Sequence, residues 1–215
     1  MKIHLAAREL LVLALVLGTV HRESAQAASA DHGSAEYRGG MVSPPLPKPK
    51  FTLTDTSGVP FDLASKTQGY TTLLFFGYTH CPDMCPLVMH MIAHALKAVP
   101  PDIANRFKVV FVTTDPARDN PQVLRAYLDH FDKSFIGLTG TQAGIDAAQI
   151  AANLPPAKKS AVRSDGAYDV GHAAFVLAYT KDNLAHVIYP VGVKEEDLVH
   201  DLQYLADETW ARRTP

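Results

Sequence analysis

A chain of 215 residues that is 47% hydrophobic is long enough for one domain with a substantial core and too short for two large ones. Its 20 Lys and Arg nearly balance 22 Asp and Glu, so no long-range positive field draws it onto nucleic acid or an anionic bilayer. Nucleic acid is therefore not an expected partner, and with two cysteines a multi-bridge disulfide scaffold is excluded.

The first residues read as an export address. Lys2 and Arg8 supply positive charge, Leu10 to Val20 is an uncharged apolar run, and Ala25-Gln26-Ala27 offers small residues to a signal peptidase. The run is shorter than the roughly 20 residues that cross a bilayer, so residues 1–27 are expected to be a cleaved signal peptide, with an uncleaved inner-membrane anchor as the alternative. Either way the domain is expected in the exported, periplasmic compartment. Residues 28–50, with prolines at 44, 45, 47 and 49, read as a flexible Pro-rich tether, and residues 51–215 as the folded domain.

Phe51 to Asp55 and Pro60 to Leu63 flank a Thr-Ser-Gly turn and predict a short hairpin. Thr71 to Tyr78 is a continuous apolar run of strand length, expected to be buried on both faces. Leu87 to Val99 has helical character and stops at Pro100-Pro101. A strand at Phe107–Thr113, a helix from Pro121 to Phe131, a strand at Phe135–Leu138 and an Ala-rich helix at Thr141–Asn153 follow. This alternation predicts an α/β fold with parallel pairing and helices on both faces of the sheet. Pro155 to Tyr168 reads as an exposed insertion or hairpin, Ala173–Tyr179 and Leu184–Tyr189 as paired strands, and Glu195–Arg212 as a closing helix.

Cys81 and Cys85 lie in Tyr78-Thr79-His80-Cys81-Pro82-Asp83-Met84-Cys85-Pro86, where a buried strand ends and a helix begins. That edge of an open parallel sheet is where such folds place their sites. Unsatisfied N–H groups and the positive end of the helix dipole favour thiolate there, so both thiols are expected to be more reactive than ordinary ones. Four-residue spacing on a helical turn is slightly wide for a relaxed disulfide but suits two sulfurs gripping one ion. From spacing alone, a metal site, a reversible disulfide and a plain structural pair all stay open, with Cu(I) or Zn(II) as the cations soft thiolates prefer.

The segments FFGYTHCPDMCP and VTTDPARDNP resemble the Sco/SenC family of copper chaperones, and so, in the same order, do YLDHF, FIGLTGT and VGHAAFVLAY. The resemblance covers nearly the whole exported domain. It implies a thioredoxin-like fold with an N-terminal hairpin and an inserted hairpin before the strand that follows His172. It also implies a copper site, Cu(I) or Cu(II), made of Cys81, Cys85 and His172. Without it, His172 would read as a capping or packing residue at the entry to a strand. The family often carries an acidic residue just before this histidine, whereas Gly171 stands here, which removes that route to orienting the ring.

Asp115 matches the family segment and reads either as a residue that tunes the site or steers a partner, or as a turn and helix-capping residue. Arg118 and Asp119 read as local surface contacts. His80, Met84, Met89, His90, Met91 and His94 lie close in sequence but are expected to be bystanders; His90 and His94 share a helical face with no third ligand nearby in the chain.

Two functions follow from the resemblance. One is a metallochaperone that receives copper from an upstream donor and passes it to the dinuclear copper site of cytochrome c oxidase subunit II, with membrane association if the N-terminal segment is retained. The other is a thiol-disulfide reductase, with Cys81 and Cys85 as its redox pair, keeping that target's cysteines reduced. A peroxiredoxin-type peroxidase is disfavoured because Cys81-Pro-Asp-Met precedes Cys85 in place of that group's Pro-x-x-x-Thr-x-x-Cys pattern. A general disulfide-exchange enzyme is disfavoured because no proline lies between Ala157 and Tyr189 to supply the usual cis-proline loop.

Overall fold

The computed structural model describes residues 37–207. The expected signal peptide or anchor at residues 1–27 lies outside them. Among the described residues no helix is long and apolar enough to cross a membrane.

The predicted hairpin is β2 (Thr52–Asp55) and β3 (Pro60–Asp62), paired antiparallel around a turn closed by the Asp55 carboxylate. The central apolar run is β4 (Thr71–Gly77), buried along its whole length. It pairs in parallel with β5 (Phe107–Thr113), which pairs in parallel with β6 (Ile136–Thr139). On the other side β4 meets β9 (Phe175–Tyr179) antiparallel, and β9 meets β10 (Leu184–Pro190). With β1 (Gly40–Pro47), these strands make one sheet ordered β1-β10-β9-β4-β5-β6-β2-β3.

Alternation along the strands divides the core. Leu73 and Phe75 of β4 and Val109 and Phe111 of β5 face α2 (Met84–Ala98), α4 (Pro121–Asp129) and α6 (Glu195–Leu205). Leu74, Phe76, Val110 and Val112 face α1 (Leu63–Lys66) and α5 (Gln142–Ala151). This is the expected α/β, thioredoxin-like architecture. The helix starts obey local chemistry: Asn120 caps α4 ahead of Pro121 by accepting from the Val123 N–H, and Thr141 caps α5 by accepting from the Gly144 N–H. The single turn α3 (Pro101–Ala104) begins on the second of two prolines read only as a helix stop.

Three boundaries differ from expectation. The tether does not run to Lys50, because Gly40–Pro47 is edge strand β1 in register with β10, Gly40 opposite Ile188 and Leu46 opposite Ala185. Prolines are tolerated there because an edge strand leaves one side of its backbone unpaired. The approach to β1 is held by Asp201, fully buried, which accepts from the Arg38 and Gly39 N–H groups and the Tyr189 hydroxyl. Helix α2 starts at Met84, three residues ahead of expectation, since a proline such as Pro86 is compatible with a first turn. Helix α6 ends at Leu205; the last residues of the predicted helix, 208–212, lie outside the described part. The predicted insertion is a small hairpin of β7 (Lys158–Lys159) and β8 (Val170–Gly171), immediately before His172.

Candidate metal centre

Strand register explains why His172 approaches Cys85, 87 residues away, and Cys81 beside it. In the antiparallel pair β4·β9, Leu74 lies opposite Leu177 and Leu73 opposite Ala178, so the start of β9 sits beside the end of β4. The cysteine loop leaves that end of β4, and the segment entering β9 carries His172. The ligand atoms of Cys81, Cys85 and His172 all lie within 4.8 Å of one another, the only such group of three His, Cys, Asp or Glu side chains among the described residues. Both cysteines are free thiols.

Each of the three is placed by a specific contact. Cys85 is in the first turn of α2 and fully buried, its sulfur packed over Gly77. Cys81 precedes the helix, half-buried, and its sulfur accepts the Cys85 N–H at 3.4 Å. Asp83, the residue before α2, makes no capping bond, so a sulfur takes a helix-start N–H that a carboxylate would otherwise satisfy. His172 donates from Nδ1 to the Ala173 carbonyl at 2.9 Å, which leaves Nε2 unprotonated and 3.5 Å from Cys85 Sγ. Its ring stands edge-on to Phe75 and Tyr78, with centroids 6.0 and 5.8 Å away.

Burial sets the protonation states. It pushes the Cys85 thiol well above the ordinary thiol range, with the neighbouring Cys81 adding to the effect. The expectation that both thiols are activated is thus corrected for Cys85, where desolvation outweighs the helix dipole. Burial lowers the pKa of His172, against a smaller opposing effect of the Ala173 hydrogen bond, so the ring is neutral at pH 7. A thiol proton is therefore in place to be displaced by an arriving cation, facing a nitrogen lone pair that needs no deprotonation.

Two residues read as local surface contacts have structural roles. Asp119 is fully buried and accepts from the Thr79 N–H (2.9 Å), the Thr79 hydroxyl (2.6 Å) and the Thr113 hydroxyl (2.6 Å), which pins the start of the cysteine loop to the end of β5. Arg118 pairs with Asp115, donates to the Tyr168 carbonyl and stacks on the Tyr168 ring at 3.7 Å. Asp115 is not a helix cap. Fully buried, it also receives the Lys159 ammonium at 3.1 Å and the Tyr168 hydroxyl at 3.0 Å, tying the inserted hairpin to the β5–α4 loop. It reaches the site only indirectly, through Arg118 lying over Tyr78, the ring that touches His172. A charged turn gives no sign in sequence of being buried, so these roles were not legible there. Nor was an orienting partner for His172: with Gly171 in the acidic position, the adjacent backbone carbonyl does that work, while Asp169 pairs with Arg163.

The SCO1/SenC family model matches residues 42–207. The chain belongs to the SCO1/SenC family. It is similar to a Stutzerimonas stutzeri protein named for copper binding, 34% identical over 125 residues, which span 58% of this chain and 60% of that relative. A SCO2-like protein of Rickettsia prowazekii is 30% identical over 151 residues, 67% of this chain and 71% of its own length. Among solved structures, ScoI of Bradyrhizobium japonicum with copper bound is 32% identical with a TM-score of 0.66, covering 74% of this chain and 99% of that one. A SCO1/SenC chain whose two cysteines and one histidine converge has the donor set for one soft cation.

Proposed function

We propose that this protein is a copper metallochaperone that binds one copper ion through Cys81, Cys85 and His172 and passes it to the dinuclear copper site of cytochrome c oxidase subunit II. The convergence of those three ligand atoms within 4.8 Å carries the reading. Two thiolates favour Cu(I), and a neutral imidazole suits either copper oxidation state. In keeping with a role in transfer, Cys81 is half-exposed while Cys85 is fully buried, so one ligand is accessible to an acceptor and one holds the ion from below. The copper-bound ScoI relative and the copper-binding name of the Stutzerimonas protein support the same cargo. Copper would arrive from an upstream donor in the exported, periplasmic compartment, where the N-terminal address directs the chain, released or anchored.

The test is copper stoichiometry. Reduced protein is expected to bind one Cu(I) per chain, and Cys81→Ser, Cys85→Ser and His172→Ala each to weaken binding sharply, with oxidase copper content falling in cells that carry them. Unchanged copper affinity in His172→Ala would overturn the three-ligand reading. A second reading, a thiol-disulfide reductase acting on the target's cysteines, draws support from the arrangement of the pair. Cys81 is the accessible sulfur that attacks the target disulfide and releases one target thiolate, and Cys85, within reach, then attacks the Cys81 sulfur of the mixed disulfide and displaces the second, leaving the target as dithiol and the pair as disulfide. A dithiol potential more oxidising than that of the target's disulfide would exclude it.

A further inference from the structure

Helix α2 carries a second set of metal-capable side chains on its outer face. His90 and His94 are one turn apart, both exposed, with ring centroids 6.0 Å from each other. A third donor comes from elsewhere in the chain. Glu195, the first residue of α6, places Oε2 3.6 Å from Nδ1 of His94. Two ligand atoms about 2.1 Å from one ion are about 3.4 Å apart in a tetrahedral site and about 2.9 Å apart as cis donors in the tetragonal geometry of Cu(II), so a side-chain shift of less than about 1 Å lets this pair share a cation. The distance between the helices is fixed by their buried faces, where Val88, Ile92 and Ala95 of α2 pack in one cluster with Leu198 and Leu202 of α6.

We propose that His90, His94 and Glu195 form a second metal site, for a divalent first-row transition ion, with Cu(II) held most tightly. The donors are two imidazole nitrogens and one carboxylate oxygen, a borderline-hard set that suits Cu(II), Zn(II) or Ni(II) and disfavours Cu(I). They line a groove of about 570 Å³ whose remaining walls include Leu87, Val88, Val191 and Val193. Those apolar walls reduce solvent screening around the bound charge. The His90 ring rests edge-on against Phe131, 4.8 Å between centroids, and turns from there to join the His94–Glu195 pair when an ion binds. His90 follows Cys85 by five residues, about 7.5 Å along the helix axis, so α2 presents a soft thiol-containing set at its start and a nitrogen-oxygen set farther along. The second set, without thiolates, gives the chain a place for Cu(II) that does not compete for Cu(I).

The site is independent of the cysteine centre, and the test separates them. The full chain carrying Cys81→Ser, Cys85→Ser and His172→Ala, titrated with Cu(II), is expected to take up one equivalent at micromolar or tighter affinity, with two-nitrogen hyperfine structure in its electron paramagnetic resonance spectrum. His90→Ala and His94→Ala, added singly, should each lower that affinity by about tenfold or more, and Glu195→Gln by a smaller factor. In the unsubstituted chain preloaded with Cu(I), Zn(II) should shift the ring resonances of His90 and His94. Failure of the triple variant to bind Cu(II), retention of its affinity and nitrogen pattern after His90→Ala, or unperturbed His90 and His94 rings under Zn(II) would each overturn the proposal.

Discussion

The sulfur of Cys85 occupies the space that a side chain on Gly77 would need: a Cβ there would lie 2.9 Å from Sγ, 2.8 Å from the Phe75 ring and 3.0 Å from the Phe111 ring. Glycine at the end of β4 is thus what lets the helix that carries Cys85 settle onto the sheet at this depth. Gly77→Ala is expected to destabilise the fold by about 1–3 kcal/mol, because rigid ring edges and a buried sulfur cannot give way cheaply. Urea denaturation measures the loss, and a parallel Cu(I) competition assay should show weaker binding as Cys85 is pushed from its partners.

Asp119 is the next point of failure. Asp119→Ala leaves the Thr79 N–H and two threonine hydroxyls without their acceptor in a buried setting, expected to cost about 2–4 kcal/mol. Hydrogen exchange at the Thr79 amide should accelerate more than exchange at the centre of β4, since the contact joins the loop to β5. Equal acceleration everywhere would mean that Asp119 supports the fold globally and not the cysteine loop.

Copper binding should release protons. Burial keeps Cys85 protonated at neutral pH, so loading must displace that proton, while His172, its pKa lowered by burial, has none to give from Nε2. Calorimetry in buffers of different ionisation enthalpy counts the protons. Affinity should fall as pH falls, and the Cys85→Ser variant should show a weaker pH dependence.

Lys48 offers a pH effect remote from the metal centre. Its ammonium is buried against the Thr67 and Thr72 hydroxyls, and desolvation, partly offset by Asp182, lowers its pKa from 10.5 to about 8. A lysine whose folded pKa lies below its unfolded one destabilises the fold fully below pH 8, and that cost is relieved as pH rises from about 8 towards 10.5. Relative to Lys48→Met, the unsubstituted protein should therefore gain stability across that window, by on the order of 3 kcal/mol at its alkaline end. Thermal melts of the two proteins at pH 7 and pH 10 provide the comparison.

Much of this molecule was legible from residue order. The run TTLLFFG, apolar after its two threonines, read as a strand buried on both faces, the helices expected from Pro121 and Thr141 begin at Pro121 and Gln142, and the Cys81–Cys85 segment was placed at a strand-to-helix junction by its flanks. The proposal that His172 is a ligand came through family resemblance, because nothing in its neighbours separates it from a packing histidine. Composition misassigned Gly40–Pro47, since a Pro-rich stretch looks the same whether it is free or lies on a sheet edge.

What the chain determines alone is local: periodicity, caps, turns and the chemical softness of its sulfurs, all of which depend on residues a few positions apart. Tertiary structure decided what depends on distance through space. The β4·β9 register brings an imidazole to two thiols, the packing of α2 against α6 sets Glu195 beside His94, and enclosure raises the Cys85 pKa and leaves Asp115 and Asp119 as buried anchors. Desolvation and ligand convergence are properties of a neighbourhood, and a neighbourhood exists only once the sheet has closed around it.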